Sequence, residues 1–281
     1  GVKTDQIVFG NGSNDILELA ARAFLSSGDE AVYSQHAFAV YSLVTQAMGA
    51  IGVKVPAYNF SHDLSKMCDA ITSKTKMIFI ANPNNPTGTL ILKNELKAFL
   101  GKIPQHIIVV LDEAYDEYLD GDDKSVSFTW LNEFPNLIIS RTFSKAYGLA
   151  GLRVGFGASN PEIIQFMNRV RQPFNVNNLA QDAAVAALLD DAFVTESKML
   201  NNNGKKQLES AFQKLHLSFI PTFGNFISFK VDKASQVYEA LLKAGIIIRP
   251  VANYEMPDYL RVSIGLKEEN ERFIQALETI I

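Results

Sequence analysis

Lys145 is the side chain in this sequence whose surroundings best suit it to covalent chemistry. It follows a short apolar segment, Leu137–Ser140, and stands among hydroxyl-bearing and small residues within Arg141–Arg153. A lysine at a strand end, close to another cation such as Arg153, should lose its proton more easily than a solvated lysine. An unprotonated lysine amine is a nucleophile that can form a Schiff base with a carbonyl group. The stretch therefore predicts a Schiff-base lysine, although a lysine without such neighbours is normally a solvated surface residue.

Two further apolar segments are followed by residues that could hold a ligand. Asp112 comes directly after Ile107–Leu111, and Asn85 lies in Asn82–Gly88, a loop with two prolines that follows Met77–Ala81. A buried acid is costly unless it is paired, so Asp112 either faces a cationic ligand group or a metal, or caps the segment that follows it. The prolines restrict the backbone, so the loop either holds the Asn85 side chain in a set position or forms a plain turn.

A glycine-containing turn at Gly10–Asp15 could bind an anion. It follows the strand-like Ile7–Phe9 and precedes a helical pattern. Glycine permits a tight turn, and the first backbone N–H groups of a helix are free to bind phosphate. Gly12, Ser13 and Asn14 are therefore candidates for a phosphate cradle, although Ser13 or Asn14 could instead cap an ordinary turn. The spacing matches neither a P-loop nor a dinucleotide-binding fingerprint.

The elements that must position these residues alternate between strand-like and helix-like patterns. The predicted strands are Gln6–Phe9, Glu30–Tyr33, Val53–Val55, Met77–Ala81, Ile107–Leu111, Leu137–Ser140 and Val154–Gly157, and the helices between them are Ile16–Leu25, Phe38–Met48, Leu64–Ile71 and Glu95–Leu100. This alternation predicts an α/β fold with a mostly parallel sheet flanked by helices. Ligands of such sheets bind beyond the carboxyl ends of the strands, which is where the candidate residues stand.

The pattern changes after about Asp190, which predicts a second and smaller α+β domain at the C-terminal end. It starts with a long helix, Val194–Leu215, which the polar Asn201–Gly204 should weaken or break. The remaining predicted elements are Ser218–Ile220, Phe226–Val231, Ser235–Ala244, Ile246–Arg249, Leu260–Ile264 and Glu268–Ile281. The predicted domains are therefore residues 1–190 and 191–281.

Composition excludes several classes of function. The formal net charge of −4 argues against non-specific binding to nucleic acid, which needs a basic surface. No apolar run approaches the roughly 20 residues of a membrane-spanning helix. Cys68 is the one cysteine, so no internal disulfide can form, and a reducing cytoplasm fits best. No metal site is predicted, because metal-ligand spacing is lacking between Cys68 and the histidines, which are His36, His62, His106 and His216.

Loops of this chain resemble those of the fold-type-I pyridoxal 5′-phosphate (PLP) aminotransferases. Asn-Asn-Pro-Thr-Gly at 84–88, Asp-Glu-Ala-Tyr at 112–115 and Ser-Lys-Ala-Tyr-Gly-Leu-Ala-Gly-Leu-Arg at 144–153 occur in the order of that family, after the glycine-containing turn. The stretches at 36–41, 171–177 and 259–265 are similar to the histidinol-phosphate branch of the family. The resemblance extends over essentially all 281 residues.

The resemblance implies a role for each candidate residue. Lys145 would hold PLP as a Schiff base and then move a proton between the substrate and the cofactor, and Asp112 would keep the ring nitrogen protonated. Lys145, Asp112 and Tyr115 form the catalytic set. The remaining implied contacts are Asn85 and Tyr115 at the phenolic oxygen, Phe38 on the ring face, Gly12, Ser13, Asn14, Thr142, Ser144 and Arg153 at the phosphate, and Arg249 and Arg261 at the substrate anion.

The resemblance also implies a reaction and an assembly. The reaction is amino transfer from histidinol phosphate to 2-oxoglutarate in histidine biosynthesis, which yields imidazole acetol phosphate and glutamate. An aromatic amino acid aminotransferase and a threonine-phosphate-type decarboxylase are alternatives with the same cofactor. A non-catalytic regulator is disfavoured because the catalytic residues are all present. The family forms homodimers, and its N-terminal arm, which is expected before Gly1, reaches the neighbouring subunit's cofactor phosphate.

Overall fold

A seven-stranded sheet forms the centre of the larger part of the molecule in this computed structural model, which describes residues 1–281. Its strands are β1 (Ile7–Gly10), β2 (Glu30–Ser34), β3 (Ile51–Val55), β4 (Thr75–Ala81), β5 (Ile108–Asp112), β6 (Leu137–Thr142) and β7 (Gly155–Ala158). The order across the sheet is β1-β7-β6-β5-β4-β2-β3, and β7 alone runs antiparallel to its neighbours. The carboxyl ends of the other six strands therefore meet at one edge.

Helices cover both faces of this sheet. They are α1 (Ser13–Phe24), α2 (Ala39–Ala47), α3 (Leu64–Asp69), α4 (Lys93–Leu100), α5 (Pro161–Val170) and α6 (Asn178–Leu188). The strand β4 shows why: Phe79 points into the core on the side of α1, α2 and α5, whereas Ile78 and Ile80 point into the core on the side of α3 and α4. Side chains alternate along a strand, so a strand that is apolar on both sides needs cover on both.

A second, three-stranded antiparallel sheet lies in the C-terminal part of the chain. Its strands, in the order β8-β10-β9, are β8 (Phe226–Lys230), β9 (Arg249–Pro250) and β10 (Tyr259–Ser263), and its helices are α7 (Asp191–Lys214), α8 (Ala234–Lys243) and α9 (Lys267–Ile280). These elements share their own core, with Phe212, Phe229 and Phe273 at its centre. The predicted fold class is confirmed, whereas the domain boundary at 190/191 stays a prediction. None of the helices is both long and apolar enough to span a membrane.

Some predicted elements were wrong. The helices α5 and α6 were not predicted, although both are regular. The expected strand Ser218–Ile220 is reduced to a single bridge between Phe219 and Phe229. The expected strand Ile246–Arg249 is displaced to Arg249–Pro250, because the Ile246 N–H donates to Leu241 O (2.9 Å) and so closes the last turn of α8.

The polar Asn201–Gly204 segment does not break α7, contrary to the prediction. Gly204 is buried where α7 meets the end of β10, and a Cβ there would lie 2.7 Å from the Ile264 side chain. The Asn201 amide is also buried and donates to Gly224 O (3.3 Å). A glycine costs a helix about 1 kcal/mol relative to alanine, and close packing offsets that cost here. The residue types that weaken an isolated helix therefore serve as packing contacts.

Candidate active site

A cavity of about 190 Å³ lies at the carboxyl ends of the parallel strands. It is lined by Ser13, Asn14, Phe38, Ala81, Pro83, Asn85, Asp112, Ala114, Tyr115, Thr142, Ser144, Lys145 and Arg153. Ten of these are predicted cofactor-binding residues. Gly12 stands outside the lining but touches Arg153, whereas Arg249 and Arg261 lie away from the cavity wall, on β9 and β10. The fold thus brings the predicted residues to one place, and their individual roles stay predictions.

The anion-binding end of the cavity is the N-terminus of α1. Gly12 has φ +80° and precedes the helix, and no side chain caps it, which removes the alternative of a helix capped by Ser13 or Asn14. The first N–H groups of a helix have no partner within it, and the helix dipole makes this end positive. Those amides therefore face the cavity side by side with the Ser13 and Asn14 side chains, as a phosphate group requires.

Arg153 adds a fixed positive charge to this end. Its backbone is left-handed at φ +60°, and its guanidinium donates to Ala150 O (3.1 Å), Ser144 Oγ (3.4 Å) and Asn11 O (3.4 Å). These contacts tie the loop after β6 to the loop after β1. Gly155, at the start of β7, completes the junction, since a Cβ there would lie 2.6 Å from the Ser13 nitrogen and 2.8 Å from Arg141 O.

We expect Gly12→Ala to weaken PLP binding about tenfold more than a matched glycine substitution. An added Cβ at Gly12 would collide with the Arg153 guanidinium and displace the phosphate-binding cation, and one charge-assisted hydrogen bond is worth about tenfold in affinity. Gly28→Ala is the control, because Gly28 also has positive φ (+90°) but has open space around its Cβ position. Both variants carry backbone strain. Equal dissociation constants for PLP, measured by fluorescence titration, would contradict this prediction.

Asp112 adds a buried carboxylate to the lining of the same cavity. Its Oδ2 accepts a hydrogen bond from the Tyr41 hydroxyl (3.0 Å), and its Oδ1 has no partner although it is buried. Burial raises the pKa of Asp112 to about 6, and the hydrogen bond from Tyr41 opposes that rise. The side chain therefore does not act as a helix cap. An unpaired carboxylate oxygen in a buried cavity suits a cationic ring nitrogen.

Lys145 lines the same cavity as Asp112. Burial lowers the pKa of the Lys145 ammonium, and Arg261 and Arg153 lower it further, whereas Asp112 opposes them. The sequence predicted an effect of neighbouring cations, and burial is the larger cause. The Lys145 Nζ lies 5.5 Å from the centroid of the Tyr115 ring. A lowered pKa favours the neutral, nucleophilic amine, which is compatible with the predicted Schiff-base role of Lys145.

A polar chain connects the cavity to the C-terminal sheet. The Asn85 Nδ2 donates to the Tyr115 hydroxyl (3.2 Å), and Arg261 donates to the Asn85 Oδ1. The Arg261 guanidinium also lies 4.9 Å from the centroid of the Phe226 ring. Arg249 is the register partner of Arg261 across β9 and β10, and it is exposed. The two arginines thus form a cationic region next to the cavity.

A buried ion-pair cluster supports the two loops that carry Asp112 and Lys145. Arg141, in β6, contacts carboxylate oxygens of Glu113 (2.7 Å), Asp116 (2.8 Å) and Glu117 (3.1 Å). Burial raises the pKa values of Glu113 and Glu117, and Arg141 opposes both rises. One guanidinium is therefore shared by three acids, of which Glu113 and Asp116 are buried and Glu117 is half-buried, and it joins the end of β5 to the end of β6.

Sequence reasoning missed Tyr41 as a site residue. Tyr41 lies in the stretch at 36–41 that resembles the histidinol-phosphate branch of the family. The resemblance did not assign a role to this tyrosine. The available signal was its spacing of three residues from Phe38, which places both side chains on one face of a helical turn. Its partner Asp112 is 71 residues away in the chain, so the hydrogen bond itself is visible only in the folded structure.

Comparison with known proteins agrees with this geometry. Residues 2–277 match the family model described as aminotransferase class I and II. The chain belongs to this family. The aminotransferase is 65% identical over 280 residues to a histidinol-phosphate aminotransferase from Methylobacillus flagellatus. The aligned region covers 100% of this chain and 76% of that protein. It is 55% identical over 278 residues to histidinol-phosphate aminotransferase 2 from Nitrosospira multiformis. This aligned region covers 99% of this chain and 71% of that protein.

A solved structure shows the same fold with a cofactor. The aminotransferase matches the histidinol-phosphate aminotransferase from Sinorhizobium meliloti in complex with pyridoxal-5′-phosphate at a TM-score of 0.92 and 27% identity, over 98% of this chain and 76% of that one. PLP is the cofactor of this family, and the cavity fits it. A lysine, a carboxylate with a free buried oxygen and a helix N-terminus with an arginine lie around one space. These groups complement an aldehyde, a ring nitrogen and a phosphate, respectively.

Proposed function

We propose that the protein is a histidinol-phosphate aminotransferase that transfers the amino group of histidinol phosphate to 2-oxoglutarate, in histidine biosynthesis. The observation that carries the proposal is the single cavity that Lys145, Asp112 and the α1 N-terminus share. The relatives that are 65% and 55% identical over nearly the whole chain, both histidinol-phosphate aminotransferases, support the choice of substrate. An amino donor and a 2-oxo acid acceptor are the two substrates of such an enzyme.

The lining residues divide the chemistry among them. When bound, PLP would supply a conjugated ring that spreads the negative charge left when the amino donor loses its α-proton. Asp112 would keep a proton on the ring nitrogen, because its Oδ1 is free to accept that hydrogen bond. The Lys145 Nζ would take the proton from the α-carbon of the donor and later return it, since burial and neighbouring cations favour the neutral amine.

The other lining residues would hold the reacting bond in place. Ser13, Asn14 and Arg153, with Thr142 and Ser144, line the cavity and would hold the phosphate group. Phe38 also lines the cavity and would pack on the ring face. Burial raises the pKa of Tyr115, so its phenol stays protonated and, with Asn85, can bind the phenolic oxygen. A bound substrate that is held at several points needs less reorganisation to reach the transition state.

Arg249 and Arg261 would bind the phosphate group of a phosphorylated substrate. Their strands are neighbours in the C-terminal sheet, and Arg261 touches Asn85 at the cavity. Guanidinium groups bind phosphate through paired, charge-assisted hydrogen bonds. A donor with its amino group at Lys145 and its phosphate at these two arginines would span from the cavity to the C-terminal sheet.

We expect turnover with histidinol phosphate and 2-oxoglutarate, and we expect Arg249→Gln to raise the KM for histidinol phosphate by about 10- to 100-fold. A hydrogen bond to a charged group contributes about 1.5–3 kcal/mol, which gives that range. The KM for phenylalanine, whose carboxylate carries less charge than a phosphate, should rise by a smaller factor in the variant. A coupled assay for glutamate measures both values. Arg272→Gln, an exposed arginine on α9, is the matched control.

The glutamate assay and a measurement of carbon dioxide release together separate the alternatives. A preference for phenylalanine over histidinol phosphate would favour an aromatic amino acid aminotransferase. Release of carbon dioxide from phosphothreonine would favour a threonine-phosphate-type decarboxylase. Either result would overturn the proposed substrate but would leave the cofactor assignment intact.

We further infer that the enzyme is a cytoplasmic homodimer. The lone cysteine, Cys68, supports a reducing compartment. Large apolar side chains are exposed on and beside α6, including Phe174 (98%), Leu179 (74%) and Leu189 (82%). Exposed apolar side chains that cluster in this way are typical of protein–protein contacts. Sedimentation velocity with the PLP-loaded protein should give the mass of two chains, and the mass of one chain would remove this part of the proposal.

A further inference from the structure

Tyr41 lies behind the cavity and contacts it only through Asp112. The tyrosine is completely buried in the core beside α1 and α2, and its hydroxyl donates to the Asp112 Oδ2 (3.0 Å). Tyr41 itself is not part of the cavity lining. Its effect on a bound ligand must therefore act through the carboxylate.

The first turn of α2 fixes the position of this hydroxyl. Phe38 immediately precedes the helix and lines the cavity, and its ring contacts the Tyr41 ring edge to face (6.0 Å, 87°). On its other side, Tyr41 stacks on Phe79 of β4 (4.8 Å, 7°). Packing between two aromatic rings holds the tyrosine in place whether or not a ligand is bound. One helical turn thus presents a ring to the cavity and a hydrogen-bond donor to Asp112.

We propose that Tyr41 is a positioning residue that occupies the Oδ2 of Asp112, leaves the Oδ1 free for the cofactor's ring nitrogen, and keeps the carboxylate ionised. A carboxylate has two oxygens, and a buried one without a fixed partner could turn either towards the ligand. The hydrogen bond removes that freedom. The Oδ1 is the oxygen that has no partner in the protein. The proposal depends on the cofactor of the family and not on which amino donor is used.

The charges around Asp112 explain why a donor is needed there. The groups that face it are Tyr41 from α2, Lys145 from the loop after β6, and Glu113 and Tyr115 from its own loop. Burial and Glu113 favour the neutral acid, whereas the Tyr41 hydroxyl, the Ala114 backbone N–H and Lys145 favour the carboxylate. Burial and Asp112 also raise the pKa of Tyr41 well above its ordinary value, so the phenol stays a donor. Once Lys145 is bonded to the cofactor, Tyr41 remains as the side-chain donor to Asp112.

The test measures ligand binding rather than turnover, with Tyr41→Phe and the control Tyr33→Phe. Tyr33 is also a buried tyrosine in the same core, on β2, but its hydroxyl does not bond to Asp112. The probe is pyridoxine 5′-phosphate, which has an alcohol in place of the aldehyde and so cannot bond to Lys145. A second probe is its deaza analogue, in which C–H replaces the ring nitrogen. Calorimetric titration gives both dissociation constants between pH 5 and pH 8.

The expected result is a shift of the pH dependence. Affinity for pyridoxine 5′-phosphate should fall as the pH drops through the pKa of Asp112, because only the carboxylate pairs with a protonated ring nitrogen. Tyr41→Phe removes a bond to the charged form, so the midpoint should move up by about one to two pH units. Tyr33→Phe should leave the midpoint unchanged. The deaza analogue should bind Tyr41→Phe and the unmodified protein equally well.

A double-mutant cycle makes the proposal falsifiable even if Tyr41→Phe is less stable. In an Asp112→Asn background, adding Tyr41→Phe should not weaken the binding of pyridoxine 5′-phosphate further. An unshifted midpoint, an equal loss of affinity for the deaza analogue, or a full additional loss in the Asp112→Asn background would show that Tyr41 has only a structural role. These outcomes do not depend on the substrate, so they are distinguishable from a failure of the proposed function.

Discussion

Lys145→Ala should abolish amino transfer while the chain still folds and binds PLP without a covalent bond. Lys145 is the one lysine of the cavity lining, so its loss removes both the amine that bonds to the cofactor and the base that moves the α-proton. Positioned proton transfer alone contributes about 10²–10⁴-fold to a rate, so we expect kcat to fall by at least about 10⁴-fold. The helix N-terminus and Arg153 remain, and they should retain the phosphate group. Stopped-flow single-turnover assays measure the loss.

Borohydride reduction followed by mass spectrometry tests the covalent role independently of the rate. The unmodified protein should retain PLP on the peptide that contains Lys145, and the variant should retain none. Lys76→Ala is the control, because Lys76 is a half-buried lysine of β4 that lies outside the cavity lining. A Lys145→Ala variant that is still labelled by reduction, or that retains more than about one hundredth of the rate, would show that another amine does the chemistry.

Arg141→Met should be the most destabilising substitution among those considered, with a loss of about 3–5 kcal/mol in the free energy of unfolding. Methionine keeps much of the side-chain volume but leaves Glu113, Asp116 and Glu117 without their shared cation. Uncompensated buried carboxylates are far more costly than the same groups when paired. Urea denaturation followed by circular dichroism measures the change.

The loss should depend on pH with a definite sign. Without Arg141 the pKa values of Glu113 and Glu117, which burial already raises, should rise further above those of the unfolded chain. The folded variant then binds more protons than the unfolded one, so its stability falls as the pH rises from the unfolded pKa through the raised folded pKa. The deficit relative to the unmodified protein should therefore be smaller at pH 5 than at pH 8.

Arg169→Met is the matched control for this experiment. Arg141 lies over the Phe128 ring (5.1 Å), and Arg169 lies likewise over the Phe166 ring (5.2 Å). Arg169, however, is exposed and has no ion pair within 4.0 Å. An exposed cation–π contact contributes about 0.5–1 kcal/mol, so the control should lose no more than that. Similar losses in the two variants, or a loss at position 141 that does not change with pH, would contradict the charge-based explanation.

The chemistry of the site was predictable because its signals are local in the sequence. Lys145, Asp112 and the turn at Gly12 each follow an apolar strand, and parallel strands bring such positions to one edge. What the sequence did not contain is which side chains meet across the sheet. The bond from Tyr41 to Asp112 and the contacts of Arg141 depend on strand order and on side-chain direction. Neither follows from spacing along the chain.

The errors in the fold prediction have a related cause. The helices α5 and α6 lie in a stretch that was interpreted only through its motif residues, although Asn160 and Asn177 cap them at their N-termini. Gly204 was interpreted by its intrinsic helix propensity, and close packing against Ile264 decided otherwise. Propensity is a weak signal wherever tertiary contacts can oppose it. Fold class was robust because it depends on the alternation of whole elements.

The reversed direction of β7 has a consequence for protein engineering. β7 begins where the other strands end, and Gly155 pairs there with Gly10 of β1 and Thr142 of β6. A Cβ at Gly155 would not fit between the Ser13 nitrogen and Arg141 O, so the loop of Lys145 and the first turn of α1 approach each other through main-chain atoms. Transplanting this cradle onto another scaffold would require residues 7–14 and 137–158 to move as one block. Lengthening only the loop after β1 or only the loop after β6 would separate the two segments at Gly155. The binding site would then be lost before its ligand specificity changed.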